Sequence, residues 1–338
     1  MIFRSARDRD LDRVMTLMVP DPVGALTPGT YRIRSRNREY RPAWTWLAEE
    51  NPAESPEESA EDPAGDNAAT EPGDPPLAAA VWWGDPRASR PAALDGLWVR
   101  EDAAHQDRAG LAAALLNAAH DQYALSGARE PPAYHVFLPG DWHDRPDAVA
   151  ALAWREDAAR RAGLTTRLER LRYEWTPRAG VPRPGGRLSF RPDDDDEVFA
   201  DLFARVLTGT LDATSRNEAA RIGRRNQARQ DVRFYHEHMH GDRSWWRVAR
   251  TADGQVAGFG VPSRNTEYAV VGYLGVLPGR RGHGYVDEIL AEITRILATE
   301  AGAAVIHADT DLENRPMAAA FERAGYRNLG RRLVLSSR

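Results

Sequence analysis

The 338-residue sequence predicts a mixed α/β protein made of two copies of one domain. Three observations carry that reading. A series of strand and helix patterns occurs twice in the same order. A Pro- and Gly-rich break, TPRAGVPRPGG at residues 176–186, separates the two series. The length suits two domains of about 150 residues each.

Each series opens with a short strand running into a helix that starts with acidic residues, MIFRSARDRDLDRVMTL in the first and LSFRPDDDDEVFADLF in the second. Carboxylates there cap free N–H groups and suit the helix dipole, so the run Asp193 to Glu197 has a structural explanation. Aromatic strands follow, VWWGD and WWRVA, the latter placing Trp245 and Trp246 at the core and edge of its sheet. Next, LDGLWV passes into GLAAALLNAAHDQYALSGA just as VGYLGV passes into GYVDEILAEITRILATEAGA, a strand feeding an amphipathic helix that ends at Gly-Ala. HVFLP and AVIHAD are further strands. The helices after them close on Arg161-Ala162-Gly163-Leu164 and Arg323-Ala324-Gly325-Tyr326, and each closing glycine leads to a final strand, RLERLRYEW or NLGRRLVLS. The expected domains are therefore residues 1–178 and 187–338.

Within the first domain, residues 50–76 are built from Pro, Glu, Ala, Asp and Gly, with no aromatic or β-branched apolar residue to bury. They predict a disordered, solvated tip on a hairpin formed by RPAWTWLAEE and LAAAVWWGD. Nine acidic residues and no basic one lie in this segment, so the net charge of −5 comes from it and the rest of the chain is mildly positive. Such a small excess does not suit a nucleic-acid binder. The charged N-terminus lacks an apolar h-region, and nowhere do 18 apolar residues run together. A soluble, cytoplasmic protein with no membrane partner is expected.

All 45 basic residues are Arg, and Cys is absent. That excludes thiolate nucleophiles, disulfides, iron–sulfur clusters and Cys-bound zinc. It also excludes Schiff-base chemistry and the phosphate lysine of a Walker A loop. The alternate spacing of His236, His238 and His240 would put all three on one face of a strand. Metal sites draw ligands from separate segments, however, and this run leads into a turn, GDRSWW, so no metal site is expected.

The most informative stretch is Tyr268–Val286, YAVVGYLGVLPGRRGHGYV. A strand from Tyr268 to Val276 meets Pro278 and a Gly-rich turn, and a helix begins near Tyr285. Gly282 and Gly284 would let backbone approach an anion closely, with free N–H groups of the helix start aimed at it. Arg280 and Arg281 would add charge and forked donors.

These residues resemble the GNAT superfamily of acyl-CoA-dependent N-acyltransferases, whose pyrophosphate loop reads Arg or Gln, two residues, Gly, one residue, then Gly or Ala. Arg281-Gly282-His283-Gly284-Tyr285-Val286 matches the first two positions, with Val286 where a small residue is usual. The resemblance extends over roughly 187–335, through Asn314, where the family has a pantetheine-contacting Asn, to the Gly325-Tyr326 ending. It implies two tandem GNAT-like domains, each a mostly antiparallel sheet with a parallel β4/β5 pair flanked by helices. It further implies acetyl-CoA as cofactor, held by Leu274, Gly275, Val276, Arg280, Arg281, Gly282, His283, Gly284, Tyr285, Asn314 and Phe321. The first half has one Gly110 within REDAAHQDRAGLAA, and Asp144 in place of Asn314 before the matching Arg145-Pro146. It resembles a degenerate copy, a scaffold or substrate wall.

What the resemblance implies chemically is direct transfer of acetyl from the thioester to an amine, with strand amides around Leu274–Val276 as oxyanion donors and a base to deprotonate the ammonium. The candidates are Glu267 at the entrance of the fourth strand, Asp309 and Asp311 after the fifth, and Tyr273 on the fourth. Many members carry a catalytic Tyr where this chain has Phe321, so Tyr273 or water would protonate the leaving thiolate. The expected acceptor is a small-molecule amine such as a metabolite, natural product or aminoglycoside-like compound, and the expected state a monomer or homodimer. The alternatives are a mycothiol-synthase-like acetylation of a cysteinyl amino sugar and a CoA-binding regulator without turnover.

Overall fold

The computed structural model describes residues 1–24, 26–51, 74–105 and 107–337. The core of the acidic segment expected at 50–76, residues 52–73, lies outside the described residues. No helix among the described residues is long and apolar enough to cross a membrane. The chain forms two compact units, Met1–Leu168 with Arg332–Arg338, and Glu169–Arg331.

Unit 1 contains strands β1 (Ile2–Ser5), β2 (Thr45–Glu49), β3 (Ala78–Trp83), β4 (Ala93–Val99) and β5 (Ala133–Leu138), arranged in that order. Its main helices are α1 (Leu11–Met15), α2 (Pro28–Arg36), α3 (Arg108–Leu125) and α4 (Pro146–Arg161). Strands β2 and β3 pair antiparallel on either side of the acidic segment, as a hairpin must. Unit 2 contains most of β6 (Thr166–Trp175), then β7 (Leu188–Arg191), β8 (Arg247–Thr251), β9 (Val256–Arg264), β10 (Ala269–Val276) and β11 (Ile306–Asp311). In space its order is β7-β8-β9-β10-β11-β6. Its helices are α5 (Asp196–Val206), α6 (Ala213–Ile222), α7 (Arg224–Glu237), α8 (Tyr285–Arg295) and α9 (Arg315–Arg323). The final strand β12 (Arg327–Ser336) starts in unit 2 and ends in unit 1, where Leu333 and Leu335 enter the core beside Leu97, Leu116 and Trp82. A sequence boundary near residue 180 divides the repeats, whereas the compact units divide inside β6.

Within each unit one parallel pair stands among antiparallel neighbours, β4 with β5 and β10 with β11. Each parallel ladder stops after two residue pairs, at Leu94↔Tyr134 and at Val270↔His307, so the strands part beyond those points. A bulge accompanies each parting. In unit 2 the β9/β10 register shifts between Val270 and Tyr273, where Gly272 sits at φ 63°. A Cβ there would run into the Val261 carbonyl, so the bulge requires glycine.

Helix α8 follows from its pattern. Ile289, Leu290 and Ile293 recur at helical spacing and are buried, α8 packing on β9 and β10, and buried Ile296 and Leu297 continue the pattern in the turn after it, while Asp287 and Glu288 occupy the favourable first turn. Helix α5 likewise buries Phe199, Leu202, Phe203 and Val206, and Asp195 caps it by accepting from Glu197 N at 2.9 Å.

Candidate functional site

Past Val276 the chain is pinned by Leu277 N donating to Ala257 O at 2.9 Å, then turns through a 3₁₀ segment, Pro278–Arg280. Gly282 (φ 82°) and Gly284 (φ 71°) hold left-handed backbone, and Gly284 is the residue that begins α8. No side chain caps this helix. Its first amides therefore have no side-chain acceptor among the described residues, the arrangement an anionic phosphate completes.

Arg281 is engaged by the backbone around it. Its guanidinium donates to four main-chain carbonyls: Val276 O at 3.1 Å, Thr208 O and Gly209 O at 2.9 Å each, and Val206 O at 2.8 Å. These donors are spent joining the end of α5 to the loop, so Arg281 shapes the site and does not offer a fork to a ligand. A residue that sequence reasoning missed does related work. Arg187, directly after the Pro/Gly break, donates to Glu288 Oε1 at 2.7 Å and to the His283 carbonyl at 2.6 Å. Its guanidinium also lies 5.3 Å from the centre of the Tyr285 ring. Pulling the His283 carbonyl to one side turns the loop's amides to the other. Glu288, 2% exposed, also accepts from Arg187 N and Leu188 N, so α8, β7 and the loop share one brace. His283 and Tyr285 stack at 5.6 Å, and Arg280 lies in the 3₁₀ turn.

Tyr273, Leu274, Gly275 and Val276 form the stretch of β10 that has left β11. The Tyr273 ring lies 4.6 Å from Phe203 and stacks on Phe259 at 5.6 Å. Burial pushes its phenol well above the ordinary range, with Asp231 and Asp212 adding to the effect, so it keeps its proton. Asn314 begins α9 at the end of β11, and its side chain makes no cap to the helix.

Two other candidates are placed away from the loop. Phe321 is 2% exposed and packs between Tyr173 (5.1 Å) and Tyr326 (5.3 Å), so it belongs to the core. Glu267 is exposed in the Asn265–Tyr268 turn, at the end of β10 where β11 is still paired. Six residues of extended chain, roughly 20 Å, separate it from Tyr273. Asp309 is half-buried on β11, opposite Arg172. The His run is not a strand either: His236 lies in α7 and pairs with Asp196 at 2.8 Å, His238 caps that helix, and His240 bridges Arg264. Trp246 is buried against Phe199, while Trp245 lies in a 3₁₀ turn.

Sequence reasoning singled out Asp311 but missed Asp212 beside it and Asp231, both of which act on Tyr273. Asp212 caps α6, accepting from Ser215 N at 2.7 Å. Asp311 ends β11, 2% exposed, and accepts from Ala213 N at 2.6 Å. Arg170 of β6 reaches both, 3.4 Å from Asp212 and 3.3 Å from Asp311. Asp231 on α7 accepts from Gln227 Nε2 at 2.8 Å. Burial raises the carboxyls of Asp311 and Asp231, the latter to about 7.

Residues 212–326 match the model of the acetyltransferase (GNAT) family. They are a GNAT domain. Two solved structures match over the whole chain. A GCN5-related N-acetyltransferase from Sphaerobacter thermophilus is 16% identical with a TM-score of 0.58, covering 100% of this chain and 96% of its own. A tandem GNAT protein from the clavulanic acid biosynthesis pathway is 16% identical with a TM-score of 0.50, covering 100% and 99%. At these identities the likeness is one of fold, and it spans both units: the chain has a tandem GNAT fold. No curated protein matches in sequence.

The corresponding parts of unit 1 are closed by its own side chains. Asp107 begins α3 as Gly284 begins α8, but its carboxylate accepts from Gly110 N at 2.7 Å and pairs with Arg161 at 2.8 Å. Where β4 has left β5, Arg155 from α4 donates to Leu97 O at 3.3 Å and to Asp21 Oδ2 at 2.6 Å. The β5 side is met by Gly24 N, which donates to Phe137 O at 2.7 Å.

Proposed function

We propose that the chain transfers an acetyl group from acetyl-CoA directly to a primary amine of a small molecule, and that unit 2 does the chemistry. The observation that carries this reading is the uncapped start of α8 at the mouth of the parted β10 and β11. Outward amides fit a pyrophosphate, and the free edge of β10 fits the amides of a pantetheine arm. The amides from Gly282 to Tyr285 would hold the first, Tyr273 to Val276 the second, with Asn314 at the lip. Arg187 and Arg281 would keep that shape.

Acetyl-CoA supplies the acetyl group as a thioester: a C–N bond forms, the C–S bond breaks, and the thiol leaves with a proton. Tyr273, protonated and on the strand beside the reacting carbonyl, is the proton donor. The amides of Leu274–Val276 are the oxyanion donors. The absence of Cys and Lys agrees with direct transfer, which needs neither. The amine as acceptor rests on the carboxylates Asp212, Asp231 and Asp311 next to Tyr273. A glucosamine N-acetyltransferase region of a fungal β-N-acetylglucosaminidase shares the fold at a TM-score of 0.50, consistent with a small amine.

The test joins acetyl-CoA calorimetry to thiol release with glucosamine, spermidine and tyramine. Binding with amine-dependent release is the expected result. Binding without release for any amine would leave a CoA-binding protein without turnover, and absence of binding overturns the reading. Tyr273→Phe should lower kcat at saturating acetyl-CoA while leaving its affinity unchanged.

A further inference from the structure

We propose that Gln227 and Asp231 seat the acceptor's ammonium nitrogen and that Asp231 takes its proton, which makes the substrate an amine that is cationic in solution. This rests on the reading of unit 2 as an acetyl-CoA-dependent transferase. The two side chains stand one turn apart on α7 and share one hydrogen bond, from Gln227 Nε2 to Asp231 Oδ1. Gln227 is 8% exposed. Its Oε1 and the Asp231 Oδ2 are both buried acceptors that receive no hydrogen bond among the described residues. Native proteins rarely leave such atoms unpaired, and two neighbouring ones call for a ligand with several donors. An ammonium carries three.

The surroundings favour a cation. Asp212, from the turn before α6, and Glu218 of α6 both act on Asp231 as negative charges. Of the guanidiniums around these groups, Arg170 is held by Asp212 and Asp311, Arg281 acts on Tyr273 and is held by backbone carbonyls, and Arg216 acts on Asp311. Tyr235 on α7 and Tyr273 on β10 are near enough that both phenols feel the charge of Asp231. Asp231 is therefore next to the strand that would carry the thioester. With its carboxyl raised to about 7 by burial, it exchanges a proton readily at neutral pH. In the transfer an N–H bond breaks, an O–H bond forms at Oδ2, and the freed lone pair attacks. The proton then returns to water.

Such a group weakens the fold. The folded protein holds this proton more tightly than the unfolded chain, so the contribution is complete below about pH 4 and is lost as pH rises through about 7. Asp231→Asn should accordingly gain stability over wild type above pH 7, with the gap closing towards pH 4.

The experiment uses full-length protein. With any amine that releases thiol, the wild-type kcat/KM should rise with pH on a limb near 7. Asp231→Asn should lose about 100-fold and that limb, Asp231→Glu should recover part of the rate, and acetyl-CoA affinity should stay the same in both. Gln227→Met should raise the amine KM about 10-fold with a smaller effect on kcat. Asp231→Asn at wild-type rate, or losing acetyl-CoA binding along with rate, overturns the proposal. Should no amine release thiol, methylammonium chloride against tetramethylammonium chloride decides by thermal shift at pH 8. Greater stabilisation by methylammonium that disappears in Asp231→Asn supports the seat, and an equal shift in both proteins overturns it. Acetyl-CoA calorimetry on wild type reports separately on the broader reading.

Discussion

The starts of α3 and α8 occupy the same place in the two halves of the repeat, and one is closed by a carboxylate where the other is bare. Asp107 supplies unit 1 with its own anion, hydrogen-bonded to Gly110 N and paired with Arg161. Gly284 leaves the equivalent place in unit 2 open. The gap between parted strands shows the same contrast, since Arg155 and Gly24 satisfy carbonyls of β4 and β5 that a ligand's amides would otherwise meet. The comparison teaches that one fold can finish the same two places in two ways. Both units keep the bulge and the parting of the strands, and in unit 1 internal groups make the hydrogen bonds there, so the fold keeps its polar atoms paired.

The strongest way to break this comparison is to remove the internal plug. Arg155 is 2% exposed, and in Arg155→Met its partner Asp21 would lose its cation and keep only the Val23 amide, so urea unfolding should show a loss of about 3 kcal/mol. Acetyl-CoA affinity should be unaffected, because the plug lies outside the proposed site in unit 2. Next, Gly284→Asp gives α8 the kind of residue that starts α3. It places a negative charge where phosphate would lie and strains a left-handed position, so calorimetry should show acetyl-CoA bound about 30-fold more weakly in a folded protein. A smaller effect sharpens the role of the brace. Arg187→Met frees the His283 carbonyl and should weaken acetyl-CoA about 10-fold, with kcat at saturation unchanged. A change in kcat with constant affinity would show that Arg187 acts on the reaction and not on the loop.

Much of this was legible because glycine and local pattern report backbone directly. Gly282 and Gly284 after an apolar strand, followed by the apolar period of Ile289, Leu290 and Ile293, mark the loop and α8 without knowledge of the rest of the chain. The hairpin of β2 and β3 was equally plain. What stayed hidden depended on contacts distant in sequence. Nothing near Arg281 says that the carbonyls of Val206, Thr208 and Gly209 will surround its guanidinium, nor does the Pro/Gly break say that Arg187 will reach Glu288. Asp231 escaped notice for a different reason. On α7 the polar line Gln227, Asp231 and Tyr235 runs beside a buried apolar pair of only Ala228 and Val232, so the apolar period that marks a buried helix face is short, and the alternating His residues beyond it imitate a strand. The division of β6 and β12 between units escaped as well, since a repeat in sequence reports ancestry of pattern and not which residues pack together.

That division has a consequence for synthesis. Leu333 and Leu335 fill the core of unit 1, yet they follow the whole of unit 2 in the chain. At ribosomal rates of about 5–20 residues per second, the first half waits roughly 10–30 s for the strand that completes it. During that time its apolar interior lacks one wall and is open to chaperones and proteases. Unit 1, begun first, is thus the last to be finished, and its maturation requires that unit 2 has already been made.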